Sequence, residues 1–212
     1  MRNSRVRENH TTRRVRLITC VIALAVAFTV TPPLWAQADR VTPPAVPANI
    51  QVPAGSKAFL AGHAVGTQDY ICLPSGTGFA WAFFAPQATL FTDDDRQVIT
   101  HYLSPNPFES DMPRPTWRDS RDTSTVRGKA MASSSDPAFV ARDAIPWLLI
   151  EVTGAQDGPT HGRTLTKTTF VQRVNTFAGI APSTGCALST DVGKSALVAY
   201  KADYFFYTQA KE

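Results

Sequence analysis

His101, Asp119, Ser120, Asp122 and Ser124 stand close together in the chain, on either side of a proline-rich stretch. These residue types can make a hydrolase: an imidazole base, a carboxylate that orients it, and a hydroxyl that attacks. In that chemistry His101 is the base, Asp119 or Asp122 orients it, and Ser120 or Ser124 is the nucleophile. The surroundings weigh against it. The chain has no Gly-x-Ser-x-Gly elbow. Ser and Asp between prolines also serve turns, through hydrogen bonds to their own backbone. The catalytic residues therefore stay unassigned, with His101, Asp119 and Asp122 as the candidates.

Metal chemistry needs ligands that converge. His63, His101 and His161 lie far apart in sequence, so only the fold could bring them together. Asp93, Asp94 and Asp95 offer oxygens to a hard cation, but neighbouring strand residues point opposite ways, and a hairpin turn explains them better. No cofactor and no metal site is expected. The aromatic residues offer a different chemistry. Trp81, Trp117 and Trp147, with Tyr70, could stack on a sugar or another planar small molecule. Trp81 and Trp147 lie in apolar runs and read as core. Trp117, between Thr116 and Arg118 and next to the proline-rich stretch, reads as an exposed ring and is the candidate ligand-binding residue.

The first thirty-eight residues stand apart. An arginine-rich start, the apolar run Leu17 to Val30 and the small-x-small sequence Ala36-Gln37-Ala38 read as a secretory signal peptide. Fourteen apolar residues are too few for a bilayer core that needs about twenty. The leader takes six of the 21 basic and one of the 17 acidic residues, which leaves 15 against 16 and a net charge of −1. The sequence pI of about 9.1 is therefore mostly a property of the leader. A mature chain without a basic cluster argues against nucleic acid and against a charged membrane surface as partners. The expected location is the periplasm or the outside of the cell.

Export also decides the cysteines. Cys20 leaves with the leader, and Cys72 and Cys186 remain as an even pair in an oxidising compartment, which reads as one disulfide. Neither has the close Cys or His neighbour that a zinc site would need.

These residues must be positioned by strands. Residues 39–56 carry Pro43, Pro44, Pro47 and Pro53 and read as an extended arm ahead of a domain at 57–208. From there the apolar period is two. Strands are expected at Phe59–Val65, Tyr70–Cys72, Phe79–Phe84, Ala88–Phe91, Gln97–Tyr102, Thr116–Arg118, Thr125–Ala130, Trp147–Thr153, Thr168–Thr176, Ala196–Lys201 and Tyr204–Tyr207. Ser104 to Pro115, with four prolines, reads as a loop, and Thr164 to Thr169 as an exposed strand edge guarded by Lys167. Only one helical turn is expected, at Ser135 to Phe139. The fold class is all-β: a single-domain β-sandwich or closed β-barrel with short strands and one disulfide between elements.

Several motifs carry a resemblance: Gly66 to Cys72, Ile145-Pro146-Trp147-Leu148-Leu149, Thr169 to Thr176 with Ala181-Pro182 and Gly185-Cys186, and Ala202 to Tyr207. Together they resemble a family of exported bacterial and fungal proteins known only as a domain of unknown function, over most of residues 45–208. The resemblance implies the same cysteine pairing. It also implies a His, Thr-Trp, Asp-x-Ser series, here His101, Thr116-Trp117 and Asp122-Thr123-Ser124, with Thr123 where a glycine is usual. It implies no activity. The function these readings support is an exported binding or structural module. The alternative is a hydrolase or metal-dependent enzyme using His101 with Asp119 or Asp122.

Overall fold

Period-two patterning resolves into eight antiparallel strands in a computed structural model that describes residues 41–209. The leader expected at 1–38, with Cys20, lies outside the described residues. The strands are β1 (Ser56–Ser75), β2 (Gly78–Phe91), β3 (Gln97–Asn106), β4 (Met112–Asp119), β5 (Thr125–Ser134), β6 (Trp147–Gln156), β7 (Phe170–Ala178) and β8 (Ser195–Gln209). Each pairs with the next, and β1 pairs with β8, so the sheet closes into a barrel. Closure satisfies the backbone groups that a sandwich would leave on its edge strands.

Segments that read as separate strands are continuous. Phe59–Val65 and Tyr70–Cys72 are both parts of β1, and the two last segments are both parts of β8. Gly66, between the two β1 segments, is where β2 comes closest: a Cβ there would meet the Gln87 carbonyl at 2.0 Å. Only glycine allows that approach.

Alternation sends Ala64, Leu90, Ile99, Trp117, Val126, Ile150, Val171, Tyr204 and Phe206 into the barrel. The outer wall of β6, β7 and β8 is apolar as well, which is why these strands read as nearly continuous apolar runs. Trp147, Leu149, Val174, Phe205 and Tyr207 face outward there. The proline-rich segment covers them. Its prolines keep it extended, yet Val41, Val46, Ile50 and Val52 pack on this wall, so the segment is part of the core rather than a linker. Gln172 donates to the Ile50 carbonyl at 2.6 Å, and Asn49 to the Ser133 carbonyl at 2.8 Å.

Two local expectations are corrected and a third is met. Ser104–Pro115 is not a loop: Leu103 pairs with Pro115, Ser104 with Arg114, Pro105 with Pro113 and Asn106 with Met112. This hairpin pairs only with itself, so its prolines deprive no neighbouring strand of a donor. Thr164–Thr169 is a turn, not a strand edge. Thr168 bonds within the turn, to the Leu165 carbonyl at 2.6 Å, Thr164 donates to Asp122 of the β4–β5 connection at 2.6 Å, and Leu165 enters the barrel core fully buried. The turn at residues 135–139 forms as expected, with Asp136 accepting from the Ala138 N–H at 2.9 Å.

Cys72 on β1 and Cys186 in the loop between β7 and β8 form a disulfide, with Cα atoms 5.5 Å apart. The same loop is held by Trp81, whose indole N–H donates to the Thr184 carbonyl at 2.9 Å. The cysteine's role is therefore to fasten that loop to the barrel wall.

Candidate functional site

The wall of the barrel parts on both sides of the β3–β4 hairpin. The β2–β3 ladder begins only at Ala88, and the β4–β5 ladder holds three pairs, from Thr116 to Arg118. Pro86 and Pro115 lie just ahead of these ladders. Without an N–H, neither can extend them. The hairpin tip is clamped elsewhere, onto β6. Glu109 accepts from the Arg114 guanidinium twice at 2.8 Å and from the Thr153 hydroxyl at 2.7 Å, and Asn106 donates to Glu109 and to Thr153. The Arg114 cation, with these hydroxyl and amide donors, holds the Glu109 carboxyl down at about 2.

Behind this gap lies a cavity of about 170 Å³. Phe83, Pro86, Pro115, Ala130, Leu148 and Ile150 make its apolar wall. His101, Trp117, Tyr204 and Arg173 make the rest. Phe83 is 51% exposed, so the cavity meets solvent beside its ring. A concave apolar site with a few convergent polar groups is the usual form of a small-molecule pocket.

The polar groups are arranged as follows. His101 stacks on Trp117 and makes a tilted contact with Tyr204, with centroids 5.2 Å apart. Its Nδ1 lies 2.9 Å from the Thr116 carbonyl, so Nδ1 carries the proton and donates. Burial pushes its pKa down to about 3. The Thr116 carbonyl opposes this, and the Arg173 cation adds to it. The imidazole is thus neutral at ordinary pH. Tyr204 is buried, and burial raises its phenol. Its hydroxyl lies 3.2 Å from that of Tyr200.

Arg173, on β7, is 9% exposed. It donates from Nη2 to the Pro146 carbonyl at 2.9 Å and hydrogen-bonds the Tyr204 phenol, while its Nε has no partner among the described residues. Among the described residues it forms no ion pair. Its field acts on Tyr70, His101, Tyr200 and Tyr204 alike, favouring the deprotonated form of each. Sequence reasoning missed this residue. The signal was a lone basic residue on the inward face of Phe170–Ala178, beside inward Val171.

The sequence candidates part company. His101 and Trp117 face each other across β3 and β4 and both line the cavity. Trp117 is not an exposed ring: it is fully buried. The polar flanks Thr116 and Arg118 mark the alternation of a strand whose middle residue points inward. Asp119 and Asp122 do not orient His101. Asp119 accepts from the N–H groups of Arg121 and Asp122 at 2.8 Å each. Asp122 accepts from Ser124 and Thr164, each through backbone N–H and hydroxyl. Burial pushes the Asp122 carboxyl upward, but these four hydrogen bonds outweigh it and hold the group well below the usual carboxylate range. Ser124 is engaged in the same turn, donating to Asp122 and accepting from the Leu165 N–H at 3.0 Å. Both aspartates thus close the β4–β5 connection.

The histidines do not converge. His63 lies on the outside of the barrel, its ring between Asp203 at 2.7 Å and Asp93 at 2.8 Å, while His101 is inside. Among the described residues no group of three or more His, Cys, Asp or Glu has metal-site geometry.

A family model described as protein of unknown function (DUF3455) matches residues 53–208. No curated protein and no solved structure matches the chain.

Proposed function

The chain belongs to the DUF3455 family of proteins of unknown function, and we propose that it is an exported binding module whose barrel cavity takes a small ligand. The observation that carries this reading is the cavity itself. Its lining combines apolar side chains with His101, Trp117, Tyr204 and Arg173. The arginine-rich leader and the single disulfide support an exported location. The hydrolase reading draws no support from the geometry, because the protein partner of His101 is a carbonyl and both aspartates are engaged in a turn.

Native mass spectrometry tests this reading, on mature protein recovered from the exported fraction of its own host. We expect a co-purifying small molecule. We also expect calorimetric binding of benzene-sized probes, lost in Leu148→Phe, which fills the cavity, with the melting temperature retained. Probe binding that Leu148→Phe leaves unchanged would overturn it, as would absence of the protein from the exported fraction.

A further inference from the structure

A buried charge is costly unless it is paired, so an arginine that lines a cavity without a counter-ion is a feature to explain. Among the described residues Arg173 has two neutral partners, the Pro146 carbonyl and the Tyr204 phenol, an Nε with none, and no ion pair. The other polar groups of the cavity bring no negative charge: His101 is a neutral imidazole, Trp117 an indole and Tyr204 a phenol. The cavity therefore holds one positive charge. One anionic group would balance it, and a second would be left unpaired. A planar carboxylate matches the guanidinium fork better than a point-like anion does.

Size narrows the choice further. A cavity of about 150 Å³ takes up benzene, and this one measures about 170 Å³. Its walls include the stacked rings of His101 and Trp117 and the aliphatic side chains of Leu148 and Ile150. Such a space fits a ring or a short branched chain.

We propose that the cavity binds a small monocarboxylate with a planar or branched apolar body, its carboxylate paired with Arg173. The inference rests on the cavity being a binding site at all, and the test separates the two. Calorimetry on the mature chain compares benzoate and isovalerate with benzamide and isovaleramide, their neutral isosteres. At least one acid is expected to bind ten-fold or more tightly than its amide. Arg173→Lys is expected to keep that order. Arg173→Gln is expected to erase it, leaving amide binding in place. Amides that bind the wild-type chain as tightly as the acids would overturn the carboxylate assignment and leave the cavity a binding site. So would an acid preference that survives Arg173→Gln. Failure of all four probes to bind would overturn both readings. The wild-type comparison needs no variant, so it decides the matter even where Arg173→Gln does not fold.

Discussion

His101 lies flat against Trp117, with ring centroids 4.4 Å apart and planes within 9° of parallel. The two residues are directly opposed on β3 and β4 and share the inner face of the barrel. The two residues that sequence reading separated, one as a base and one as an exposed platform, are thus two halves of one cavity wall. Phe206 and Tyr204 meet Trp117 edge-on at 6.4 Å and 5.8 Å, and Tyr204 also touches His101, so the stack is held by further rings. Contacts of this kind add about 0.5–1.5 kcal/mol each beyond burial.

The buried imidazole gives a pH dependence of known sign. The folded-state pKa of His101 is near 3, below the ordinary 6.5, mainly through burial. The unfolded chain therefore takes up a proton first as pH falls. Stability is fully present above pH 6.5 and is lost progressively between 6.5 and 3, at roughly 1.4 kcal/mol per pH unit. Urea denaturation at pH 7.5 and pH 5 is expected to show this loss, and His101→Gln to remove most of it. An equal loss in that variant would refute the assignment.

His63 has the opposite sign. The hydrogen bond to Asp203 raises its pKa above the ordinary value, against a smaller effect of burial, and Asp93 adds to the rise. Its contribution is fully present below pH 6.5 and fades as pH rises through the folded-state value. His63→Gln is expected to destabilise the protein more at pH 5.5 than at pH 8.5. The effect is small, because the side chain is 44% exposed and the pair is screened by solvent. A larger deficit at pH 8.5 would contradict the arrangement.

Period-two alternation made the strands legible, because each one buries a single face and the pattern survives without tertiary information. Where an outer wall is also covered, as on β6 to β8, the pattern blurs, and the covering segment is hard to recognise. Val41, Val46, Ile50 and Val52 are spaced by prolines rather than by a period, so nothing local marks them as core. The disulfide was legible from the expected compartment and the cysteine count alone. The cavity was half legible: His101 and Trp117 stood out by type, but their facing each other depends on register, and register between β3 and β4 is set by a hairpin whose prolines read as a loop. Arg173 left only a faint mark, a lone basic residue in register with inward Val171, because a single Arg in a strand is ordinary until its surroundings are known. Asp119 and Asp122 misled, because a carboxylate that caps a turn and one that orients a histidine look the same in sequence.

Ile50 tests the covering segment. It is fully buried on the outer wall, and its carbonyl accepts from Gln172. Ile50→Ala is expected to lower stability by about 2–5 kcal/mol, the range for such large-to-small changes in a core. An unstructured linker would tolerate the change within about 0.5 kcal/mol. Equilibrium denaturation distinguishes the two outcomes.

The disulfide closes a long loop, with its cysteines 114 positions apart. The chain-entropy model gives about 4–5 kcal/mol for a loop of this length, as an upper figure. The double variant Cys72→Ser with Cys186→Ser is expected to lose several kcal/mol and to unfold at lower denaturant concentration than the oxidised chain. The oxidised wild type should show no free thiol with a thiol reagent under denaturing conditions. Two titratable thiols would remove the staple from the account.

Thr123 offers the converse, a substitution expected to stabilise. It sits in the β4–β5 connection at φ 59°, the left-handed region. A Cβ there costs about 1–2 kcal/mol, and glycine gives back about 0.5–1 kcal/mol of that through its greater freedom when unfolded. Among the described residues the Thr123 hydroxyl has no hydrogen-bond partner, while its backbone N–H donates to the Asp119 carbonyl at 3.1 Å and its carbonyl accepts from the Thr125 hydroxyl at 3.0 Å. Removing the side chain therefore breaks none of these bonds. Thr123→Gly is expected to gain about 0.5–1 kcal/mol, which in a chain of this size is a rise of roughly 1–4 °C in melting temperature. Thr123→Ala keeps the Cβ and is expected to gain less. Equal melting temperatures for the two variants would mean that the left-handed backbone is not what limits stability at this turn.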